Sequence, residues 1–290
     1  MVTVGMGIRD RVPIPLPLPT SPLKGKEQLL PEHRHTMRPN PLKSKLQSGE
    51  PGYGLFAFEF FTPGLAQAAQ VAGAEFILFD MEHSGAGIDT IKQQMAYCRG
   101  LDVIPLVRVP TYQYQFVARA LDVGALGIMV PMVETAQQAR DIVTWTQYPP
   151  RGRRGAVLGG AHDDYTGGNA REQFDQANQR CLLMVQVETE VGVANVDEIA
   201  AVPGVDCICT GFLDLSNFLG VPGDFKHPTY LGAIDRIAAA GKKHGKVLAT
   251  AAPDAAFAKE YVARGFKMVF FGTDVHLLQS ALSERLKAMR

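Results

Sequence analysis

Eight short apolar runs recur along this chain, each followed by a stretch of helical spacing, and that alternation leaves few folds open. The runs fall at residues 53–60, 75–80, 102–108, 127–131, 182–188, 206–210, 246–250 and 268–272. Runs this short and this apolar fit strands covered on both faces, as in a parallel sheet. Helical spacing at 42–47, 87–99, 112–123, 135–146, 229–240, 254–264 and 275–289 fills most of the gaps. A further helix is expected to be capped at Thr62-Pro63 and closed at Gly73. Strand–helix alternation predicts an α/β fold, and eight units in about 250 residues favour a closed (β/α)8 TIM barrel over an open sheet. No Gly-x-Gly-x-x-Gly follows the first run, which argues against a dinucleotide site.

The tail ahead of this pattern reads differently. Residues 12–22 (Val-Pro-Ile-Pro-Leu-Pro-Leu-Pro-Thr-Ser-Pro) are too proline-dense for a helix or a sheet ladder. Residues 1–36 are expected to be a disordered extension, with Met37 a candidate for the true start, and residues 37–290 a single barrel domain. The segment 148–178, rich in Gly and Arg, is expected to be a long loop of the kind that serves as a lid.

The 290 residues carry no formal net charge, which gives no footprint for nucleic acid or a charged membrane surface. No run reaches the roughly 18 apolar residues of a spanning helix. The four cysteines (Cys98, Cys181, Cys207 and Cys209) follow neither a zinc nor a disulfide spacing. Buried, reduced thiols in a cytoplasmic protein are the expectation.

In a (β/α)8 barrel the chemistry sits at the C-terminal ends of the strands. The polar residues there are Asp80, Glu82 and His83 after the second run, Arg108 on the third, Gln186 and Glu188 on the fifth, Asp214 after the sixth and Asp274 after the eighth. Glu188 and Asp214 stand one βα repeat apart. Two such carboxylates suit an oxygen-loving divalent ion, or are solvated or helix-capping acids. Arg108 offers a planar fork for a carboxylate or an enolate oxygen, or an ion pair between strands. His83 fits a general acid or base, or a structural histidine. Asp122 is a candidate partner for His83 or Arg108.

Taken together, these stretches resemble the HpcH/HpaI aldolase family of metal-dependent class II pyruvate aldolases. Phe79-Asp80-Met81-Glu82-His83 is similar to its D-x-E-H signature. Leu121-Asp122-Val-Gly124, Val130-Pro131-Met132-Val133, Tyr148-Pro-Pro-Arg-Gly-Arg-Arg154-Gly155, Val185-Gln186-Val-Glu188-Thr189 and Gly211-Phe-Leu-Asp214-Leu-Ser216 resemble further family segments in order. The resemblance runs from about Met37 to the C-terminus. It implies a TIM barrel whose last helix is exchanged between subunits of a hexamer, a trimer of dimers.

It also implies Glu188 and Asp214 as ligands of a divalent metal (Mg2+ or Mn2+, with Co2+ an option). Arg108 and Gln186, with Gly211, Phe212 and Leu213, would bind substrate. His83, oriented by Asp80 or Asp122, would move protons. The implied reaction is formation or cleavage of a 4-hydroxy-2-oxo acid through a pyruvate enolate, with a 2-oxo acid and an aldehyde as small-molecule partners. The alternative on the same scaffold is an oxaloacetate decarboxylase or an enolate-condensing enzyme. Two departures stand out. The family commonly has Pro-Ala where this chain has Phe212-Leu213, and that bulk is expected to reshape the pocket. The stretch 159–168, with His162-Asp-Asp-Tyr165, matches no familiar aldolase loop.

Overall fold

The computed structural model describes residues 36–290; the proline-rich reading of the tail lies outside the described residues. Eight parallel strands close on themselves in sequence order. They are β1 (Gly52–Ala57), β2 (Phe76–Asp80), β3 (Ile104–Arg108), β4 (Gly127–Val130), β5 (Leu182–Gln186), β6 (Cys207–Thr210), β7 (Val247–Ala252) and β8 (Met268–Thr273). The helices are α1 (Pro41–Gln47), α2 (Leu65–Val71), α3 (Ile88–Tyr97), α4 (Tyr114–Asp122), α5 (Ala136–Thr146), α6 (Ala170–Arg180), α7 (Glu190–Ala194), α8 (Val196–Ala200), α9 (Phe212–Phe218), α10 (Pro228–Lys243), α11 (Ala255–Ala263) and α12 (Asp274–Met289). The expected TIM barrel is what the chain forms.

Successive strand residues face opposite sides, and the two sides separate into two cores. Phe76 and Leu78, Ile104 and Leu106, Leu182 and Met184, Cys207 and Cys209, with Met268 and Phe270, fill the barrel. Ile77, Phe79, Val107, Leu183, Val185 and Ile208 turn outward against the helices. All four cysteines are buried and free. α1 closes the N-terminal end of the barrel: Leu42 and Leu46 join the interior core. Asn40 anchors this plug by donating to the carbonyls of Leu126 at 3.0 Å and Arg180 at 2.9 Å.

Four expectations are corrected. β1 ends at Ala57 rather than residue 60, because the Asp274 carboxylate takes the N–H groups of Phe58, Glu59 and Phe60 that a longer ladder would use. α2 begins at Leu65 with Gly64 as its cap, not at Thr62-Pro63. The segment 148–178 is not all loop: a 3-10 turn spans Ala161–Asp163 and its second half is α6, capped by Asn169 onto the N–H groups of Arg171 and Glu172. Of α6 only Ala177 and Asn178 are buried, so the helix has almost no apolar stripe to announce it. β5 stops at Gln186, which puts Glu188 in the connection to α7.

α12 does not lay its apolar stripe on its own barrel. Leu277, Leu278, Leu282 and Leu286 stay 45–56% exposed.

The plug generates a stability prediction. Leu46→Ala removes a buried side chain from the barrel floor, and urea unfolding should show a loss of about 2–5 kcal/mol; an unchanged midpoint would mean the plug is dispensable.

Candidate active site

The interior alternation that packs the barrel also delivers the polar rim. After Leu78 the next inward position on β2 is Asp80, after Leu106 on β3 it is Arg108, and after Met184 on β5 it is Gln186. Carrying the same period past the strand ends reaches Glu188 beyond β5 and Gly211 beyond β6. Asp80 and Arg108 are paired in register on neighbouring strands. Both are buried, at 0% and 3% exposure, and Arg108 Nε donates to Asp80 Oδ1 at 2.6 Å.

Asp80 satisfies its remaining lone pairs locally. Its Oδ1 accepts from Glu82 N–H at 3.2 Å and its Oδ2 from His83 N–H at 2.8 Å. The carboxylate therefore folds the loop after β2 as well as aiming the guanidinium. Arg108 lies over the ring of Phe56 at 4.5 Å and that of Phe58 at 5.5 Å. Its Nη1 is 3.0 Å from Glu82 Oε2. Its Nη2 is buried and has no hydrogen-bond partner among the described residues. A buried, charged donor left open in this way is costly unless something binds there.

Glu188 is 1% exposed. Its Oε1 accepts from Met132 N–H at 2.9 Å, and its Oε2 accepts from Gln186 Nε2. Met132 reaches it from a left-handed backbone, φ 55°, unusual for a residue with a side chain. Gly211 is required beside it: a Cβ there would sit 1.9 Å from Glu188 Oε2. Burial pushes the Glu188 carboxyl up to about 7, the bonds from Gln186 and Met132 pull it down, and the charges of Glu82 and Asp214 push it further up. Glu82 is likewise pushed up to about 7, by burial first, with Arg108 opposing. Asp214 stands in the first turn of α9 and has no ion-pair partner among the described residues.

The expected residues divide by where they land. Arg108, Gln186, Gly211, Phe212, Leu213, Asp214 and His83 line one cavity of about 530 Å3 over the barrel mouth. The His83 ring is half-exposed and stacks on Phe58 with centroids 6.4 Å apart. Its Nε2 is 3.7 Å from Glu82 Oε2. Asp80 holds the His83 main chain, not its ring. Asp122 lies apart from this group; its partner is Arg154 at 2.6 Å, rather than His83 or Arg108. Phe212 lines the cavity and packs its ring on Phe225 and Phe257, at 5.3 and 5.7 Å. Leu213 is the one that stands exposed at the rim, at 56%.

Sequence reasoning passed over Phe56, Phe58 and Met132 as site residues and gave Glu82 no role. The signal for Phe56 and Phe58 was the two-residue period of the first run. Met132 carried none, because its part is played by a main-chain N–H. Asp274 belongs to the scaffold, as the acceptor for the loop after β1. Among the described residues no group of three or more His, Cys, Asp or Glu side chains gathers as a metal cage.

A closed parallel barrel with a buried arginine, an amide and several carboxylates at the C-terminal rim has the form of a barrel enzyme, whose chemistry sits at that end of the strands. The chain belongs to the HpcH/HpaI aldolase/citrate lyase family, whose model matches residues 53–281, and it is a carbon–carbon lyase of that family. It is 34% identical over 87% of its length to 97% of the 5-keto-4-deoxy-D-glucarate aldolase of Klebsiella pneumoniae. It is 35% identical, over 87% of this chain and 98% of the relative, to the hydroxypyruvate/pyruvate aldolase of Paraburkholderia phytofirmans. The crystal structure of an HpcH/HpaI aldolase from Desulfitobacterium hafniense superposes with a TM-score of 0.83 at 30% identity, covering 87% of this chain and 97% of that one.

The raised carboxyls predict a pH dependence in buffer stripped of divalent cations. Glu82 and Glu188 have folded values of about 7 against 4.5 in their ordinary state. The folded protein therefore keeps protons that the unfolded chain has released, and this contribution is full below pH 4.5 and lost as pH rises through 7. In urea unfolding, Glu188→Gln should lose less stability than the wild type between about pH 5 and about pH 8. Parallel pH profiles for the two proteins would contradict the burial argument.

Proposed function

We propose that this chain is a divalent-metal-dependent aldolase that forms and cleaves 4-hydroxy-2-oxo acids through the enolate of pyruvate. The observation that carries the reading is the unpartnered Nη2 of buried Arg108, together with a buried carboxylate, Glu188, that has no ion-pair partner among the described residues. Relatives named for pyruvate and for a keto-deoxy sugar acid support the substrate class.

The residues fit a hard divalent ion. Glu188 and Asp214 would hold it, with the Gln186 amide alongside; all three offer oxygen donors, the chemistry that suits Mg2+ or Mn2+. Two carboxylates without a third protein ligand match an ion that keeps positions for substrate and water. When bound, the ion would supply Lewis-acid charge for the oxygens of the 2-oxo acid.

The chain's own groups do the rest. Asp80 locks the guanidinium so that Arg108 Nη2 donates to the keto oxygen, where negative charge develops as the enolate forms. The first turn of α9, Phe212 and Leu213 with Gly211 before it, has main-chain N–H groups without helical partners, which can receive the substrate carboxylate. His83 Nε2 takes the proton from the C4 hydroxyl during cleavage, with Glu82 close enough to steady the imidazolium.

The assembly is read as a homo-oligomer of the trimer-of-dimers kind, in which the exposed leucines of α12 dock on a neighbouring copy. The buried free thiols suit a reducing, cytoplasmic setting.

Proton–deuterium exchange at the pyruvate methyl in D2O tests the reading. Exchange should need Mn2+ or Mg2+, stop with EDTA and vanish in Glu188→Ala. Arg108→Ala should slow it roughly 10²–10³-fold, the scale for losing one donor to a developing oxyanion. Exchange that persists at the wild-type rate in Glu188→Ala would sink the assignment.

A further inference from the structure

One carboxylate of the chain is engaged wholly by a loop that reaches the site. Asp274, the first residue of α12, is buried. Its Oδ1 accepts from Phe58 N–H at 3.1 Å and from Val275 N–H at 2.9 Å. Its Oδ2 accepts from Glu59 N–H at 3.0 Å and from Phe60 N–H at 2.7 Å. These donors fill the roughly four acceptor positions of a carboxylate, so none remains for a substrate. Three of them are consecutive in the loop after β1, and they fix its path where it carries Phe58.

Phe58 is where that loop meets the working side chains. Its ring lies 5.5 Å from the guanidinium carbon of Arg108 and stacks on the His83 ring, with centroids 6.4 Å apart and planes at 25°. Phe56, itself buried, meets it edge-on at 4.6 Å. Arg108 and His83 differ in what else holds them. Arg108 is aimed by Asp80 through the 2.6 Å bond to Nε, whatever Phe58 does. His83 has only its main chain tied to Asp80. For its half-exposed ring, Phe58 offers the packing face, and Glu82 Oε2, 3.7 Å from Nε2, is the polar neighbour. Asp80 thus fixes where the His83 side chain starts, and Phe58 where its ring ends. That matters to rate, because displacing a reacting group by about 1 Å can cost roughly 10²-fold.

We propose that Asp274 and Phe58 are positioning residues for His83: the carboxylate fixes the loop after β1, the loop presents the Phe58 face, and that face sets the imidazole against the substrate hydroxyl. The inference rests on the aldolase reading above, in which His83 takes the proton from the C4 hydroxyl. Neither Asp274 nor Phe58 moves a proton itself. Losing either acts on kcat more than on KM, because Arg108 still meets the 2-oxo acid.

The test is cleavage of 4-hydroxy-2-oxopentanoate, the aldol of pyruvate and acetaldehyde, by the full chain with added Mn2+. Pyruvate methyl exchange by the wild type is measured alongside. Phe58→Leu keeps an apolar side chain and the main-chain bonds to Asp274 but removes the flat face. It should lower kcat at least roughly tenfold with KM little changed. Phe58→Tyr, which restores the face, should hold most of the wild-type kcat. Asp274→Asn turns one oxygen into a donor that confronts N–H groups, and it should lower kcat by a similar factor. Combined with Phe58→Leu it should be no slower than the slower single variant, whereas independent losses would multiply. In a His83→Ala background Phe58→Leu should cost nothing further. Wild-type kcat in Phe58→Leu, equal losses in the Leu and Tyr variants, multiplied losses in the double variant or an added loss without His83 each overturn the positioning role. With methyl exchange intact in the wild type, they leave the aldolase reading standing. Should Asp274→Asn fail to fold, the Phe58 variants with and without His83 decide alone. No exchange and no cleavage by the wild type overturns both readings.

Discussion

The buried pair of Asp80 and Arg108 is the interaction on which the mouth of this barrel depends. Neither charge can be left alone at this depth: removing one partner of a buried pair costs about 3–5 kcal/mol, because the other remains uncompensated. Asp80 answers by accepting from the guanidinium and from two main-chain N–H groups at once. The loop carrying Glu82 and His83 is thus shaped by the same carboxylate that aims Arg108. The orientation of the Arg108 guanidinium and the path of the loop are one structural decision.

Around that pair the charge is unequal. Asp80 and Glu82 share a single arginine, Arg108, and among the described residues no lysine or second arginine lines the cavity beside Asp214. The consequence is visible in Glu82 and Glu188, both held near 7 because burial favours the protonated form. Such a rim calls for positive charge from outside the chain, in the form of protons or a cation. The geometry that keeps Glu188 in place is correspondingly exacting. It uses a left-handed Met132 to present an N–H, the Gln186 amide, and a glycine at 211 because no side chain fits there.

Much of this was legible in the amino-acid sequence. The eight apolar runs predicted the closed barrel, and their two-residue period, once the strands are known to face inward at Leu78, Leu106 and Met184, places Asp80, Arg108 and Gln186 together. What escaped notice did so for physical reasons. α6 is polar on nearly all sides, so its spacing leaves no periodic signal. The end of β1 is set by Asp274, more than two hundred positions away in the chain, which captures N–H groups that local propensity assigns to a strand. The partner of Asp122 turned out to be Arg154, because the loop after α5 folds back along α4.

The sequence by itself determined the architecture and the chemical inventory: parallel strands, helices between them, and a set of acids, one arginine and an amide at the strand ends. Those follow from periodicity and residue type, which are local properties of a chain. Only the tertiary structure decided which lone pairs and protons remain free for a substrate. It left Arg108 Nη2 open while engaging Nε, packed the Phe212 ring on Phe225 and Phe257 while leaving Leu213 at the rim, and left the α12 leucines about half exposed. Those choices depend on closure of the sheet, which brings strands distant in sequence within hydrogen-bonding distance and fixes what each side chain has left to offer.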